Sequence, residues 1–164
     1  DVAFGPRNFG VAREDAYKLA KNALETVGLD FEQIKSKSPF DLSGGEKQRA
    51  WIAMTICQQP EILLLDEPIT YLDVGYQVEV LELVRELCDR LKITIVMVLH
   101  DMNFTARYSD RIYVLKDKKV HTYGAPDGVI ERENLRKVFH IDSQLYHDDK
   151  NGCPIVIPEK LTAV

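Results

Sequence analysis

Two short apolar runs, separated by an amphipathic stretch, constrain the fold of this chain more than any other feature. Residues 62–65 and 94–99 are apolar at almost every position, and each run has the length of a strand. Such runs are typical of parallel strands that are buried on both faces. Between them, apolar residues recur at helical spacing from about residue 74 to residue 91. A strand, helix, strand order predicts an α/β fold with a parallel sheet and right-handed crossovers.

Helices are predicted before this unit, and strands after it. The spacing of apolar residues predicts helices over 12–27 and about 43–58, joined by a connector at 36–41. Trp51, Ile52 and Ile56 widen the apolar surface of the second helix, so we expect it to be largely buried. Further on, the pattern predicts a short helix near 104–108, strands at 111–115 and 120–123, a helix over 129–139, and an edge hairpin or loose extension from Ile141.

Composition narrows the class of protein. The 164 residues suit one domain, and 45% hydrophobic residues can supply a core. A net charge of −5 gives no general attraction to nucleic acid or anionic lipid, so we expect no nucleic-acid partner and a membrane link only through another protein. The three cysteines show no paired metal-ligand spacing, which favours a reducing, cytoplasmic setting. The start at Asp1, without an initiator Met, suggests a fragment or a processed piece.

Two carboxylates follow the first predicted strand. Asp66 and Glu67 come where a buried strand emerges at its carboxyl end, the place where open α/β sheets bind ligands. Asp66 is the candidate metal-side residue, acting on Mg²⁺ through coordinated water, and Glu67 is the candidate base for an attacking water. The alternative is that the two acids simply end a strand and cap the next helix.

The run from Leu42 to Arg49 opens the second predicted helix. Ser43, Gly44 and Gly45 can present unpaired N–H groups and a hydroxyl to a phosphate, since glycine permits close approach of the backbone. Ser43 and Glu46 also have the spacing of a capping box, which would use the same donors locally. Both interpretations stay open on the sequence alone.

Two further polar residues stand at the ends of predicted elements. His100 ends the second apolar strand, where an imidazole can hydrogen-bond a terminal phosphate or the attacking water, although a lone histidine there is more often structural. Asp73 precedes the helix that begins near Val74 and has the position of an N-cap.

The sequence contains no phosphate-binding P-loop, which would read Gly-x4-Gly-Lys-Ser/Thr. Gly5 and Gly10 have the glycine spacing, but Val11 and Ala12 stand where the lysine and the hydroxyl residue are needed. We therefore predict that residues 5–10 form an irregular loop that binds no phosphate.

Together these motifs resemble the ATP-binding cassette (ABC) family of transporter ATPases. Leu42 to Gln48 matches the family's signature motif, Ile62 to Glu67 its Walker B strand with the catalytic glutamate, residues 70–73 its D-loop, and His100 its switch histidine. Residues 1–48 look like the ATPases of energy-coupling-factor importers, and residues 49–164 look more like those of iron-siderophore importers. A divergent natural member or a recombined chain would both explain this mixture.

The resemblance implies a partial P-loop NTPase fold without the P-loop strand, divided into three parts. Residues 1–58 would be a helical subdomain, 59–125 the carboxyl half of the ATPase core, and 126–164 a carboxyl-terminal helix and tail. The family's P-loop strand lies between the strand ending at His100 and the next one. We expect a partner chain to supply that strand, the two strands to close up, or the missing part to exist in the parent protein.

The resemblance also implies function. Two cassettes would sandwich ATP and Mg²⁺ head to tail, with Ser43, Gly44, Gly45, Gln48 and Asp73 at the nucleotide, Asp66 at the metal, and Glu67 and His100 catalytic. Such a subunit would dock on membrane-spanning permease subunits at the cytoplasmic face of the membrane and couple ATP hydrolysis to uptake of an iron-siderophore, metal ion or vitamin. Without a P-loop, we expect no appreciable hydrolysis by the isolated chain. The alternative is a non-catalytic module that binds or complements a partner ATPase.

Overall fold

The computed structural model describes residues 1–162. They form two compact units, and the boundary along the chain lies between Val98 and Leu99. This boundary falls inside the segment 59–125 that the sequence assigns to the core, and the three-part division stays a prediction. The final two residues of the predicted tail, 163 and 164, lie outside the described part.

The first unit contains five helices and two strands among its described residues. The helices are α1 (Phe4–Asn8), α2 (Arg13–Thr26), α3 (Phe31–Ile34), α4 (Gly44–Ile56) and α5 (Val74–Leu91). The strands are β1 (Ile62–Asp66) and β2 (Thr94–Val98), and a 3-10 turn occupies Pro39–Asp41. The predicted helices and strands of this region are all present, within a few residues at their ends.

The loop predicted at residues 5–10 is wrong, because most of it is α1. Pro6 lies in the first turn of this helix, where the missing N–H of proline has no intrahelical partner to lose. Glycine and proline in so short a segment therefore did not prevent one helical turn. Gly10 follows with a φ of +82°, so the irregular backbone begins after the helix.

Helix α4 is less buried than its apolar surface suggested. Ile52 and Ala53 are buried, at 1% and 0% exposure, but Trp51 is 63% exposed. The side chain of residue 51 points away from the face that packs on α2, since successive helical residues differ by about 100° in direction. The expectation that α4 is largely buried therefore holds for only one face.

Strands β1 and β2 pair in parallel, in register from Ile62 opposite Thr94 to Asp66 opposite Val98. Burial alternates along β1: Leu63 is 3% exposed and Leu64 is 71% exposed. The prediction of two buried faces is therefore wrong for this chain. Alternate side chains of a strand point to opposite faces of the sheet. Helix α5 contacts β2 and packs on one face, while the other face, which carries Leu64, stays open among the described residues.

The second unit is built from short helices and two antiparallel hairpins. Helix α6 (Met102–Tyr108) precedes the hairpin of β3 (Ile112–Lys116) and β4 (Lys119–Gly124). Helices α7 (Pro126–Val129) and α8 (Arg132–Asn134), the latter continued by a π-helical turn over Leu135–Phe139, lead to the hairpin of β5 (Ile141–Asp148) and β6 (Cys153–Leu161). The predicted strands and terminal hairpin are confirmed.

The helix predicted over 129–139 is interrupted. Ile130 leaves the helical conformation with ψ of 78°, and Glu131 is extended with ψ of 158°. The Asn134 side chain donates to the Val129 carbonyl at 2.9 Å, which satisfies an acceptor at the end of α7. The break places Val129 and Ile130 together in the core of this unit, at 2% and 7% exposure.

Hydrogen bonding joins the described strands into three separate two-stranded sheets, and only β1 and β2 are parallel. Strands β2 and β3 belong to different sheets. Of the three expectations for the missing P-loop strand, closure of its two neighbours on each other is therefore wrong, and the other two stay open. Among residues 1–162, no helix combines the length and apolar character needed to cross a bilayer.

Candidate functional site

Ser43 caps the N-terminus of α4, as the capping-box interpretation predicts. Its hydroxyl accepts a hydrogen bond from the backbone N–H of Glu46 at 3.2 Å, and its own N–H donates to the Glu46 carboxylate at 2.8 Å. Lys37 adds an ion pair to the same carboxylate at 3.2 Å. The Ser43 backbone N–H, then Lys37 and the Ser43 hydroxyl, lower the pKa of Glu46 below its usual range. Its contribution to stability is thus present above the usual carboxylate range and lost as pH falls through the lowered pKa.

The two glycines that follow Ser43 have different surroundings. A Cβ on Gly45 would lie 2.9 Å from a ring carbon of Tyr76 in α5, closer than atoms can approach. A Cβ on Gly44 would find its nearest neighbour, a methyl group of Leu72, at an ordinary 3.8 Å. Gly45 therefore allows the start of α4 to pack against the start of α5. The N–H groups of both glycines belong to the first helical turn, which has no intrahelical acceptor, and Gly44 is exposed.

Asp73 occupies the equivalent capping position on α5. Its carboxylate accepts from the Tyr76 N–H at 3.2 Å, which confirms the predicted N-cap. The contact of Gly45 with Tyr76 thus brings the N-termini of α4 and α5 together, and with them the predicted signature and D-loop residues. Gln48, half-buried on α4, follows the signature glycines within the same helix.

Asp66 and Glu67 stand at the carboxyl end of β1, and both are exposed. Glu67 has a φ of +47°, a left-handed conformation that is uncommon for residues other than glycine. Its carboxylate accepts from the Thr70 hydroxyl at 3.0 Å, and its carbonyl accepts from the Thr70 N–H at 3.2 Å. Six other described non-glycine residues also have a positive φ, so the position of Glu67 at the carboxyl end of β1, rather than its conformation, makes it a candidate.

A side chain of α5 stabilises the loop between Glu67 and that helix by hydrogen bonds. The Gln77 amide of α5 donates to the carbonyls of Leu72 at 3.0 Å and Ile69 at 3.4 Å. Tyr71 lies fully exposed at the tip with a φ of +66°. The sequence placed Thr70 in the predicted D-loop but did not predict its bond to Glu67. It gave no role to Tyr76 or Gln77, whose contacts with α4 and with the loop before α5 spacing does not show. The polar character of Gln77, near the start of α5, is the sequence feature that could have indicated a contact with the preceding loop.

His100 lies in the second unit, directly before α6. It is exposed, and the next residue, Asp101, caps α6 by accepting from the Phe104 N–H at 2.7 Å. The other seven candidate residues all lie in the first unit. They fall into two groups there, one at the adjoining starts of α4 and α5 and one at the end of β1.

The residues present fit a nucleotide with its metal ion in part. Exposed carboxylates at a strand end suit a hydrated Mg²⁺, and the first-turn N–H of the exposed Gly44, which has no intrahelical acceptor, suits a phosphate oxygen, whereas Gly45 is buried. No group of three or more histidine, cysteine or acidic side chains within residues 1–162 is arranged to hold a metal ion by itself. Asp66 would therefore act with ligands from elsewhere, as water and phosphate oxygens usually provide for Mg²⁺.

Known proteins resemble this chain in sequence. The family described as ABC transporter matches residues 6–70. The petrobactin import ATP-binding protein FpuD of Bacillus anthracis is 43% identical over 141 residues, which are 86% of this chain and 51% of that protein. The energy-coupling factor transporter ATP-binding protein EcfA2 of Enterococcus faecalis is 44% identical over 137 residues, 84% of this chain and 47% of that protein. The chain spans about half the length of the curated relatives it matches.

A solved structure supports the fold. An ABC transporter in an inward-facing conformation matches with a TM-score of 0.84 and 25% sequence identity, over 97% of this chain and 65% of that one. The predicted α/β class, a partial P-loop NTPase fold of the ABC ATPase type, is therefore confirmed. The resemblance to both siderophore and energy-coupling-factor importer ATPases is confirmed as well.

Proposed function

We propose that this chain, a relative of the ATP-binding subunits of ABC importers, carries the signature helix and the Walker B carboxylates of such a subunit. The supporting observation is the pairing of two built features in one unit. Ser43, Gly44 and Gly45 begin α4 beside the capped start of α5, and Glu67 follows β1 in a left-handed conformation fixed by Thr70. Relatives of this chain are named as ATP-binding proteins of petrobactin import and of an energy-coupling factor transporter.

Each candidate residue has a role in this proposal. Ser43, Gly44 and Gly45, with Gln48 and Asp73 nearby, face a nucleotide held by a second ATPase subunit in a head-to-tail dimer. Asp66 serves the hydrated Mg²⁺, Glu67 orients or deprotonates the attacking water, and His100 contacts the terminal phosphate. ATP with Mg²⁺ supplies the phosphoryl group and the charge neutralisation for the reaction. The residues of this chain supply positioning and a base.

The two groups of relatives support a proposal for the solute and the partners. We propose uptake of an iron-siderophore, a metal ion or a vitamin, through permease subunits that hold this chain at the cytoplasmic face of the membrane. The net charge of −5 supports binding to protein rather than to anionic lipid. The described cysteines are free thiols, which suits a reducing compartment.

The isolated 164-residue chain should not hydrolyse ATP, because its sequence has no P-loop. Titration of the chain with MgATP by calorimetry is expected to give no saturable heat at micromolar concentrations. Saturable micromolar binding would overturn this prediction. Glu67→Gln is the matched variant, since it removes the candidate base but keeps the size of the side chain, and it should behave like the parent chain in this assay.

The second candidate function is a non-catalytic module that binds or complements a partner ATPase. The open face of the β1–β2 sheet favours it, because an exposed apolar surface marks an interaction site. Mixing the chain with a P-loop-bearing amino-terminal half of a relative separates the two. Hydrolysis that appears in the mixture and disappears with Glu67→Gln supports the catalytic role. A stable complex with no Glu67-dependent hydrolysis supports the binding module.

A further inference from the structure

The segment that carries His100 is fixed by the start of α6. The Asp101 carboxylate accepts from the Phe104 N–H at 2.7 Å, and the Asp101 carbonyl accepts from the Thr105 hydroxyl at the same distance. The first bond satisfies a backbone donor of the first helical turn, the second adds a side-chain tie to the cap, and together they define where the helix begins. His100 immediately precedes the cap, so its backbone direction follows the orientation of α6.

Asn103, in that first turn, joins α6 to the carboxyl-terminal hairpin. Its side-chain oxygen accepts from the Val156 N–H at 2.8 Å, and its side-chain nitrogen donates to the Val156 carbonyl at 3.2 Å. The two partners are 53 residues apart in sequence. One amide side chain thus makes the pair of hydrogen bonds that a residue of a neighbouring strand would make. We call these two bonds the Asn103 clamp.

Apolar packing reinforces the clamp. Ala106 of α6 and Val156 of β6 lie in the same buried core, at 2% and 3% exposure. Met102 and Leu145 pack against that core from α6 and β5. Helix α6 and the hairpin therefore hold one orientation within the second unit, and the clamp fixes the register between them.

We propose that Asn103 is a positioning residue for His100, through which the β5–β6 hairpin fixes the direction of the histidine. The role of His100 at the phosphate rests on the proposed function, but its positioning by Asn103 does not. The clamp lies three residues after His100, in the turn that Asp101 caps. Loss of the clamp would let this turn reorient while the buried core keeps the rest of α6 on the hairpin.

The test uses the complete chain, labelled with ¹⁵N, and follows the imidazole resonances of its four histidines by NMR. Asn103→Ala removes both bonds. We expect the His100 resonances to shift or broaden while those of His121 remain in place. The Phe104 amide should exchange with solvent about fivefold to thirtyfold faster, as loss of one or two hydrogen bonds predicts.

Two further variants keep the outcome interpretable. Asn103→Asp retains the acceptor for the Val156 N–H but places a carboxylate oxygen against the Val156 carbonyl, so it should restore the His100 resonances only in part. Arg107→Ala, in the last turn of α6, is the control and should leave them unchanged.

Unchanged His100 resonances in Asn103→Ala, with faster exchange of the Val156 amide, would overturn the proposal and show that Asn103 only covers the edge of β6. If Asn103→Ala does not fold, Asn103→Leu, which also lacks both hydrogen-bonding atoms but keeps about the same side-chain volume, takes its place, and unchanged His100 resonances in it overturn the proposal. ATP takes no part in this experiment, so its result is independent of the calorimetric test of function.

Discussion

Neighbouring residues of the same type can have opposite requirements, as Gly44 and Gly45 show at the start of α4. Both stand in the signature run, and phosphate binding alone would give them similar roles. The contact of Gly45 with Tyr76 gives it a second role, because the close approach of α4 to α5 leaves no room for a Cβ. Ser43 and Asp73 likewise combine a capping role with a proposed role at a nucleotide.

We predict that Gly45→Ala destabilises the chain by about 1–3 kcal/mol, because the added methyl group must displace the Tyr76 ring. Gly44→Ala is the matched control and should stay within about 0.5 kcal/mol or be slightly stabilising, since alanine favours helix and meets only an ordinary contact. Urea unfolding followed by circular dichroism measures both. Equal effects of the two substitutions would contradict the packing described here.

Some of the site residues could be predicted from the sequence, and others could not. Ser43, Glu46, Asp66, Glu67 and Asp73 stand at element ends, and a change in periodicity locates such ends. The local hydrogen bonds of Ser43, Glu46 and Asp73 were therefore predictable, and the capping box and the Asp73 cap are confirmed. The Thr70 hydroxyl donates to the Glu67 carboxylate and the Gln77 amide donates to backbone carbonyls of the loop, and no periodic pattern indicates such contacts.

Among the secondary-structure elements, β1 departs most from its predicted environment. A run of four apolar residues predicts a strand with two covered faces, but the structure covers only the face of Leu63 and Leu65. The apolar run correctly indicated the element and its parallel pairing. It could not indicate whether the covering layer belongs to this stretch of chain, because burial depends on what packs on each face.

The difference in exposure between the two faces of β1 predicts different effects of alanine substitutions on stability. Leu63→Ala should cost about 2–5 kcal/mol, as expected for a leucine truncated in a packed core. Leu64→Ala should change the stability of this chain by less than about 0.5 kcal/mol, because most of its side chain is already exposed. The free energy of unfolding from urea titrations checks the pair. A large cost for Leu64→Ala would mean that a contact covers this face in solution.

The residues that the structure describes form three two-stranded sheets, and β1–β2 and β3–β4 each expose four large apolar side chains, against three on β5–β6. We call these surfaces of the first two sheets the open faces; they comprise Ile62, Leu64, Val96 and Val98 on β1–β2, and Tyr113, Leu115, Val120 and Tyr123 on β3–β4. Tyr113 and Tyr123 stack across their strands at 5.4 Å between ring centroids. Contiguous exposed apolar surface of this kind favours association with other proteins.

We predict that the open faces cause self-association and dye binding in the isolated chain. The double substitution Leu64→Thr with Leu115→Thr should lower the fluorescence of a hydrophobic dye and shift the chain toward monomer in concentration-dependent gel filtration. Leu161→Thr is the control, because Leu161 is 77% exposed but lies outside both open faces. An equal reduction by the control would show that exposed leucine alone, and not the open faces, causes the effect.

The sequence by itself determined the class of fold, the order of elements, the family resemblance and the positions of the candidate carboxylates, signature residues and caps. These features depend on local spacing and on the chemistry of each side chain. Only the tertiary structure decided that β1 and β2 keep one face open, that α1 is helical, that Gly45 must accommodate Tyr76, and that Asn103 joins the His100 segment to the terminal hairpin. The open face, the packing of Gly45 and the Asn103 clamp depend on contacts between residues far apart in sequence, and the pattern along the chain does not show which surfaces meet. The helicity of α1 depends instead on the position of Pro6 in its first turn, which the glycine and proline content alone did not indicate.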